Sequence, residues 1–124
     1  MRVLIADDSS LMTSRIQEAL SVFEDLEIVG IANDGPSALE KAKSLKPDLA
    51  ILDLKMPGLT GIQVLSEVRK EDKKMVIIIL TYFLTDDYRN KAIESGADYV
   101  YSKVDDFEKV PDTVGRLLEN FLTR

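Results

Sequence analysis

The chain contains no cysteine and no histidine. The first absence removes thiol catalysis, thiolate metal sites and disulfides, and the second removes imidazole acid–base chemistry and the commonest zinc ligand. No stretch approaches the roughly 18 to 20 apolar residues of a membrane span, and Met1-Arg2 followed by "VLIA" is too short for a signal peptide. These absences predict a cytoplasmic protein without a membrane partner. Positive charge is in deficit: 22 acidic residues face 16 basic ones, a formal net charge of −6. That balance opposes nucleic-acid binding by this chain alone. There is no Gly/Ser-rich linker, internal repeat or low-complexity tract. What remains for chemistry is carboxylates, hydroxyls and amines.

The 124 residues suffice for one core, which predicts a single domain over residues 1–124. Apolar runs recur at "VLIA" (3–6), "IVGIA" (28–32), "LAIL" (49–52), "VIIIL" (76–80) and "YVY" (99–101). Without polar alternation they read as strands covered on both faces. Between them lie helical stripes: Met12, Ile16, Ala19, Leu20 and Phe23; Leu39, Ala42 and Leu45; Val64, Leu65 and Val68; Tyr88, Ala92 and Ile93. A fifth stripe holds Val110, Val114, Leu117, Leu118 and Phe121. The fourth stripe is the weakest. Pro36 fits a first helical turn, Gly96 a left-handed cap, and Lys46-Pro47 a break before the third strand. Asp86-Asp87 and Asp105-Asp106 each fit the start of a helix. Strict alternation of five strands and five helices predicts an α/β fold, a doubly wound parallel sheet.

Ligands of such sheets bind beyond the carboxyl ends of the strands, where strand order reverses. Asp7 and Asp8 leave the first strand, Asp53 the third, Thr81 the fourth and Lys103 the fifth; Asn33-Asp34 after the second is less decisive. Taken singly, each has an ordinary reading: helix capping for Asp7-Asp8, a strand end for Thr81, a surface amine for Lys103. Two unit charges ~4 Å apart repel by about 4 kcal/mol at an effective dielectric near 20, so clustered carboxylates need more than one lysine. With no sulfur or imidazole ligand, a hard cation is the expected complement. Magnesium accepts carboxylates, keeps waters and leaves room for a phosphate oxygen, and manganese fits the same donors. Asp53 follows four apolar residues and precedes Met56-Pro57-Gly58, a turn that leaves its carboxylate open.

"VLIADDS", "AILDLKMPGLTG", "IIILT" and "GADYVYSK", in this order, resemble the receiver domain of bacterial two-component response regulators. The likeness runs from Val3 to about Leu122. It implies a flavodoxin-like fold with strand order 2-1-3-4-5 and Asp53 as phosphoacceptor. It also implies a magnesium site of Asp7, Asp8, Asp53 and the backbone carbonyl of Lys55. Thr81 would donate to a phosphoryl oxygen, and Lys103 would pair first with the acceptor and then with the phosphoryl group. The donor implied is a histidine kinase, a histidine phosphotransfer protein or a small phosphodonor. The output would be a second protein, or a homodimer through helix four, strand five and helix five. "LEIVGIANDGPSALEKAKSLKPDLAILDLKMPGLTG" also resembles receivers fused to DNA-binding domains, so the receiver half of such a regulator is an alternative.

An aspartate-nucleophile phosphatase would need a cap insertion and a second acid at the position of Lys55, and a flavodoxin-like electron carrier a phosphate loop after strand one. Three positions depart from the receiver pattern. Tyr82 and Phe83 put bulk where a small residue is usual, and either hinder access or shield the acyl phosphate. Val100 stands in place of the usual moving aromatic. Val104 replaces a proline, so a cis bond there would cost roughly 3 kcal/mol.

Overall fold

The computed structural model describes residues 1–124. Its strands are β1 (Arg2–Ala6), β2 (Glu27–Ala32), β3 (Leu49–Leu52), β4 (Val76–Thr81) and β5 (Tyr99–Ser102). The helices are α1 (Ser10–Leu20), α2 (Gly35–Leu45), α3 (Gly61–Arg69), α4 (Asp86–Glu94) and α5 (Lys109–Thr123). All four pairings are parallel, as the alternation of strands and helices predicts, and the order is β2-β1-β3-β4-β5, as the receiver resemblance implies.

Side-chain alternation along the buried strands divides the core in two. Leu4, Ala50, Leu52, Ile77 and Ile79 pack on one face of the sheet with Ala38, Ala42, Val64, Leu65 and Ala92 of α2, α3 and α4. Val3, Ile5, Ile51, Ile78 and Leu80 pack on the other with Ile16, Leu20, Val110 and Val114 of α1 and α5. Each Leu or Ile so buried contributes about 1.5–3 kcal/mol. This is why the strand sequences are apolar throughout: both faces are covered. The two edge strands, β2 and β5, are half-buried over most of their length.

The helices start where short polar side chains cap them. Ser9, Asp34 and Thr85 accept from the amides of Met12, Ser37 and Tyr88, and Thr60 and Gln63 form a reciprocal capping box. Pro36 sits in the first turn of α2, and Gly96 has φ +110° after α4. Lys46 ends α2 in the left-handed region, φ +46°, without a glycine.

Three expectations change. Phe23 lies beyond the end of α1, although it still packs against that core face. In α4 only Ala92 is buried, while Tyr88 and Ile93 are exposed. Asp105-Asp106 do not begin α5, which starts at Lys109. Asp106 instead accepts the Ser102 amide at 2.9 Å and pairs with Lys109 at 3.0 Å, and these two donors hold its carboxyl below the usual range. An acidic pair before a helix has the same composition whether it caps the helix or closes the preceding turn.

Candidate functional site

The order of strand addition reverses between β1 and β3, and that junction is where the acids emerge. Ala6 lies beside Ala32 on one side and Leu52 on the other. The next residue of each strand continues the ladder: the Asp7 amide donates to Ala32 O at 3.0 Å, and the Asp53 amide to Ala6 O at 2.9 Å. Asp7 and Asp53 therefore leave the sheet side by side. On the far side of β3, Thr81 pairs with Ser102, and the Lys103 amide donates to Thr81 O at 2.9 Å. The register of four strands thus fixes the backbones from which all these side chains rise.

Their burial differs from that of ordinary charged residues. Asp7, Asp53, Thr81 and Lys103 are all buried, and Asp8 is exposed at the rim. Lys103 Nζ lies 2.5 Å from Asp7 Oδ2 and 3.2 Å from Asp53 Oδ2. The ammonium bridges both carboxylates, with Asp7 the nearer; the sequence pointed only to its pairing with Asp53. Asp7 Oδ1 accepts the Ser9 amide at 2.9 Å, and Asn33 Nδ2 donates to Asp7 O at 3.0 Å. Asp53 Oδ1, by contrast, is buried without any hydrogen-bond partner.

Burial pushes the Asp53 carboxyl above its ordinary range; the Lys103 charge opposes this, and the Asp7 charge reinforces it. One ammonium does not compensate two buried carboxylates.

Carboxylate oxygens of Asp7, Asp8 and Asp53 all lie within 4.8 Å of one another. An all-oxygen set of this kind, with one buried oxygen lacking a partner, fits a hard divalent cation such as Mg2+. The donor set would suit Mn2+ equally.

The loop between Asp53 and α3 is shaped by close backbone approaches. The Gly61 amide donates to Leu54 O at 2.8 Å, and a Cβ at position 61 would stand 2.2 Å from Asp53 O. Gly58 turns the chain with φ +85°. On the other side, Thr81 Oγ1 accepts the Phe83 amide at 3.1 Å. The chain has no cis peptide bond, so Lys103–Val104 is trans.

Val100 points into the α2–α4 face of the core, whereas Tyr99 and Tyr101 pack on the α1–α5 face, their ring centres 6.0 Å apart. They are packing residues. A separate cavity of about 480 Å3, bordered by Met1, Asp48, Asp72 and Phe121, contains none of the site residues.

Two features escaped the sequence. Gly61 carries no sequence signal, because a single glycine before an apolar helix has no distinctive spacing. The bulk of Tyr82 and Phe83 was legible, but not that each ring covers an ammonium.

A family model described as the response regulator receiver domain matches residues 3–115. The response regulator protein VraR of Staphylococcus epidermidis is 33% identical over 119 residues, which cover 96% of this chain and 57% of that protein. The chain thus spans little more than half the length of such curated relatives. Among solved structures, the signal receiver domain of the response regulator NarL from Mycobacterium tuberculosis is 31% identical. Its TM-score is 0.84, with 99% of this chain and 97% of that one covered. A LuxR-family DNA-binding response regulator from Staphylococcus aureus is 29% identical with a TM-score of 0.85, covering 93% of this chain and 96% of that one.

Proposed function

The chain belongs to the response regulator receiver domain family, and from that premise we infer that Asp53 is the side chain that accepts the phosphoryl group. The observation that carries this reading is the Lys103 ammonium held between Asp7 and Asp53 where the strand order reverses, beside an unpartnered Asp53 Oδ1. Receiver domains of response regulators work with histidine kinases. The donor for this chain is accordingly a kinase phosphohistidine, a histidine phosphotransfer protein or a small phosphodonor; without histidine the chain cannot carry its own.

In the transfer, an Asp53 carboxylate oxygen forms a bond to phosphorus as the donor's bond to phosphorus breaks, and the departing imidazole takes a proton from water. The sheet holds the nucleophile rigid, so little reorganisation is needed. Asp7, Asp8, Asp53 and the Lys55 carbonyl would hold a magnesium ion, which when bound neutralises phosphoryl oxygens. Lys103 transfers its hydrogen bond from the Asp53 carboxylate to the new phosphoryl group. Thr81 Oγ1 already accepts from Phe83, which leaves its own proton free to donate to a phosphoryl oxygen.

Phosphorylation adds about 1.5 to 2 negative charges to this pocket. The expected response is a two-state shift at the surface of α4, β5 and α5, which recruits a protein partner or a second copy of the chain. A swing from 1:99 to 99:1 takes about 5.5 kcal/mol of differential stabilisation. The domain acts in the cytoplasm, and its only catalysis is on its own aspartate. The phosphatase alternative loses ground, because no cap is inserted among the ten elements and residue 55 is a lysine.

Incubation with a small phosphodonor and Mg2+ tests this, read by intact mass. One base-labile phosphoryl adduct is expected, and none when EDTA replaces the metal. An unmodified protein under both conditions contradicts the reading, as does an adduct that survives base.

A further inference from the structure

The ladder between β1 and β2 runs out beside the acidic pocket. Its last backbone bond goes from the Asp7 amide to Ala32 O at 3.0 Å. In the even spacing of a parallel pair, the next would run from the Asp34 amide to Asp7 O. Asp34, however, already caps α2, its side chain accepting the Ser37 amide, and its own amide does not bond to Asp7. The Asn33 side chain takes that place: Nδ2 donates to Asp7 O at 3.0 Å. An exposed side-chain amide thus stands in for a strand that has turned away.

This bond bears on Asp8 more than on Asp7. Asp7 is held independently by its own amide, by the Ser9 amide on Oδ1 and by Lys103 on Oδ2. The Asp8 carboxylate, exposed at the rim, shares none of these partners. Its direction comes from the backbone, and the Asp7–Asp8 peptide is the one whose carbonyl Asn33 holds. Asp8 nevertheless offers an oxygen within 4.8 Å of those of Asp7 and Asp53. We propose that Asn33 is a positioning residue for this cation site: through Asp7 O it holds Asp8 in place, and so sets both the affinity for Mg2+ and the preference for Mg2+ over Ca2+. This rests on the reading of Asp7, Asp8 and Asp53 as a magnesium site. Outer hydrogen bonds of this kind fix a ligand's direction without touching the metal. Magnesium demands near-octahedral oxygens at about 2.0–2.1 Å, whereas calcium accepts flexible arrangements at about 2.3–2.6 Å. An Asp8 free to swing therefore weakens Mg2+ binding more than Ca2+ binding.

NMR titrations with MgCl2 and with CaCl2, followed at the backbone amides of positions 8 and 55, measure both dissociation constants without any phosphodonor. The proteins are the wild type, Asn33→Ala, Asn33→Leu, Asp8→Asn and the Asn33→Ala/Asp8→Asn pair. Leucine keeps the shape of asparagine and removes its donor, and the exposure of position 33 lets both variants fold. Each raises the Mg2+ dissociation constant by roughly three- to tenfold, the loss of one orienting hydrogen bond. The Ca2+ constant rises by less than about twofold. In the Asp8→Asn background, Asn33→Ala has little further effect, because it acts through the Asp8 carboxylate. An unchanged Mg2+ constant in either single variant at position 33 overturns the proposal. So do equal losses for both ions, which a general loosening of the loop would produce, and an Asn33 effect that persists undiminished in the Asp8→Asn background. A wild type whose amides do not respond to Mg2+ overturns the magnesium site itself, and this role with it.

Discussion

Replacing Lys103 by methionine destabilises the metal-free protein by about 3 kcal/mol at neutral pH, a loss that Mg2+ or acid restores. Methionine keeps the apolar stem that fills the space beneath the ammonium, so the change isolates the charge. In the wild type that charge lies within salt-bridge distance of two buried carboxylates. Without it they face each other with only part of their solvation. Removing one member of a buried ionic group costs more than the group contributed, because the charges left behind have no partner.

The sign of the pH dependence follows from Asp53, whose carboxyl burial already holds above its ordinary range. Loss of the opposing Lys103 charge raises it further. A group whose folded pKa is raised favours the folded state below its unfolded pKa of about 3.9, and loses that favour as pH rises through the folded value. The stability gap between variant and wild type therefore narrows as pH falls toward 4. At neutral pH, Mg2+ at a hundred times its dissociation constant restores about 2.7 kcal/mol. Urea unfolding at several pH values, with and without Mg2+, measures this. A variant as stable as the wild type contradicts it, and so does a deficit that ignores both pH and metal.

Asp53→Asn has the opposite effect on the resting protein: it abolishes phosphoryl capture and raises metal-free stability. The carboxyl is raised chiefly by burial, so holding its charge in the folded state costs stability, and a neutral amide of the same shape avoids that cost. We expect a gain of about 1 kcal/mol, roughly 3–6 °C in Tm at pH 7. By the same linkage the gain shrinks as pH falls through the folded pKa, where the wild-type carboxyl takes up its proton. Adding Mg2+ stabilises the wild type more than the variant and narrows or reverses the order. A metal-free variant that melts below the wild type at pH 7 contradicts this electrostatic origin.

Asp7, Asp8, Asp53, Thr81 and Lys103 could be placed together from sequence for a simple reason. Each follows an apolar strand, and a parallel sheet gathers its strand ends along one edge. The strands were legible because burial on both faces demands uninterrupted apolar residues. α4 was harder, since it buries only Ala92 and its Tyr88 and Ile93 are exposed. α5 begins four residues after Asp105 because Asp106 closes a turn on the Ser102 amide, a local competition that composition does not reveal. The lean of Lys103 toward Asp7 and the rings above the two ammonium groups were equally hidden. These depend on side-chain directions across strands far apart in sequence, whereas the strand ends depend only on order along the chain.

The identity of the phosphorylated atom is the most direct thing to measure. Borohydride reduces an aspartyl phosphate to homoserine, so the Mg2+-dependent adduct can be reduced, digested and sequenced by mass spectrometry. Homoserine at position 53 and nowhere else is the expected result. Homoserine at position 7 or 8, or a phosphate on Thr81 with residue 53 intact, would contradict it.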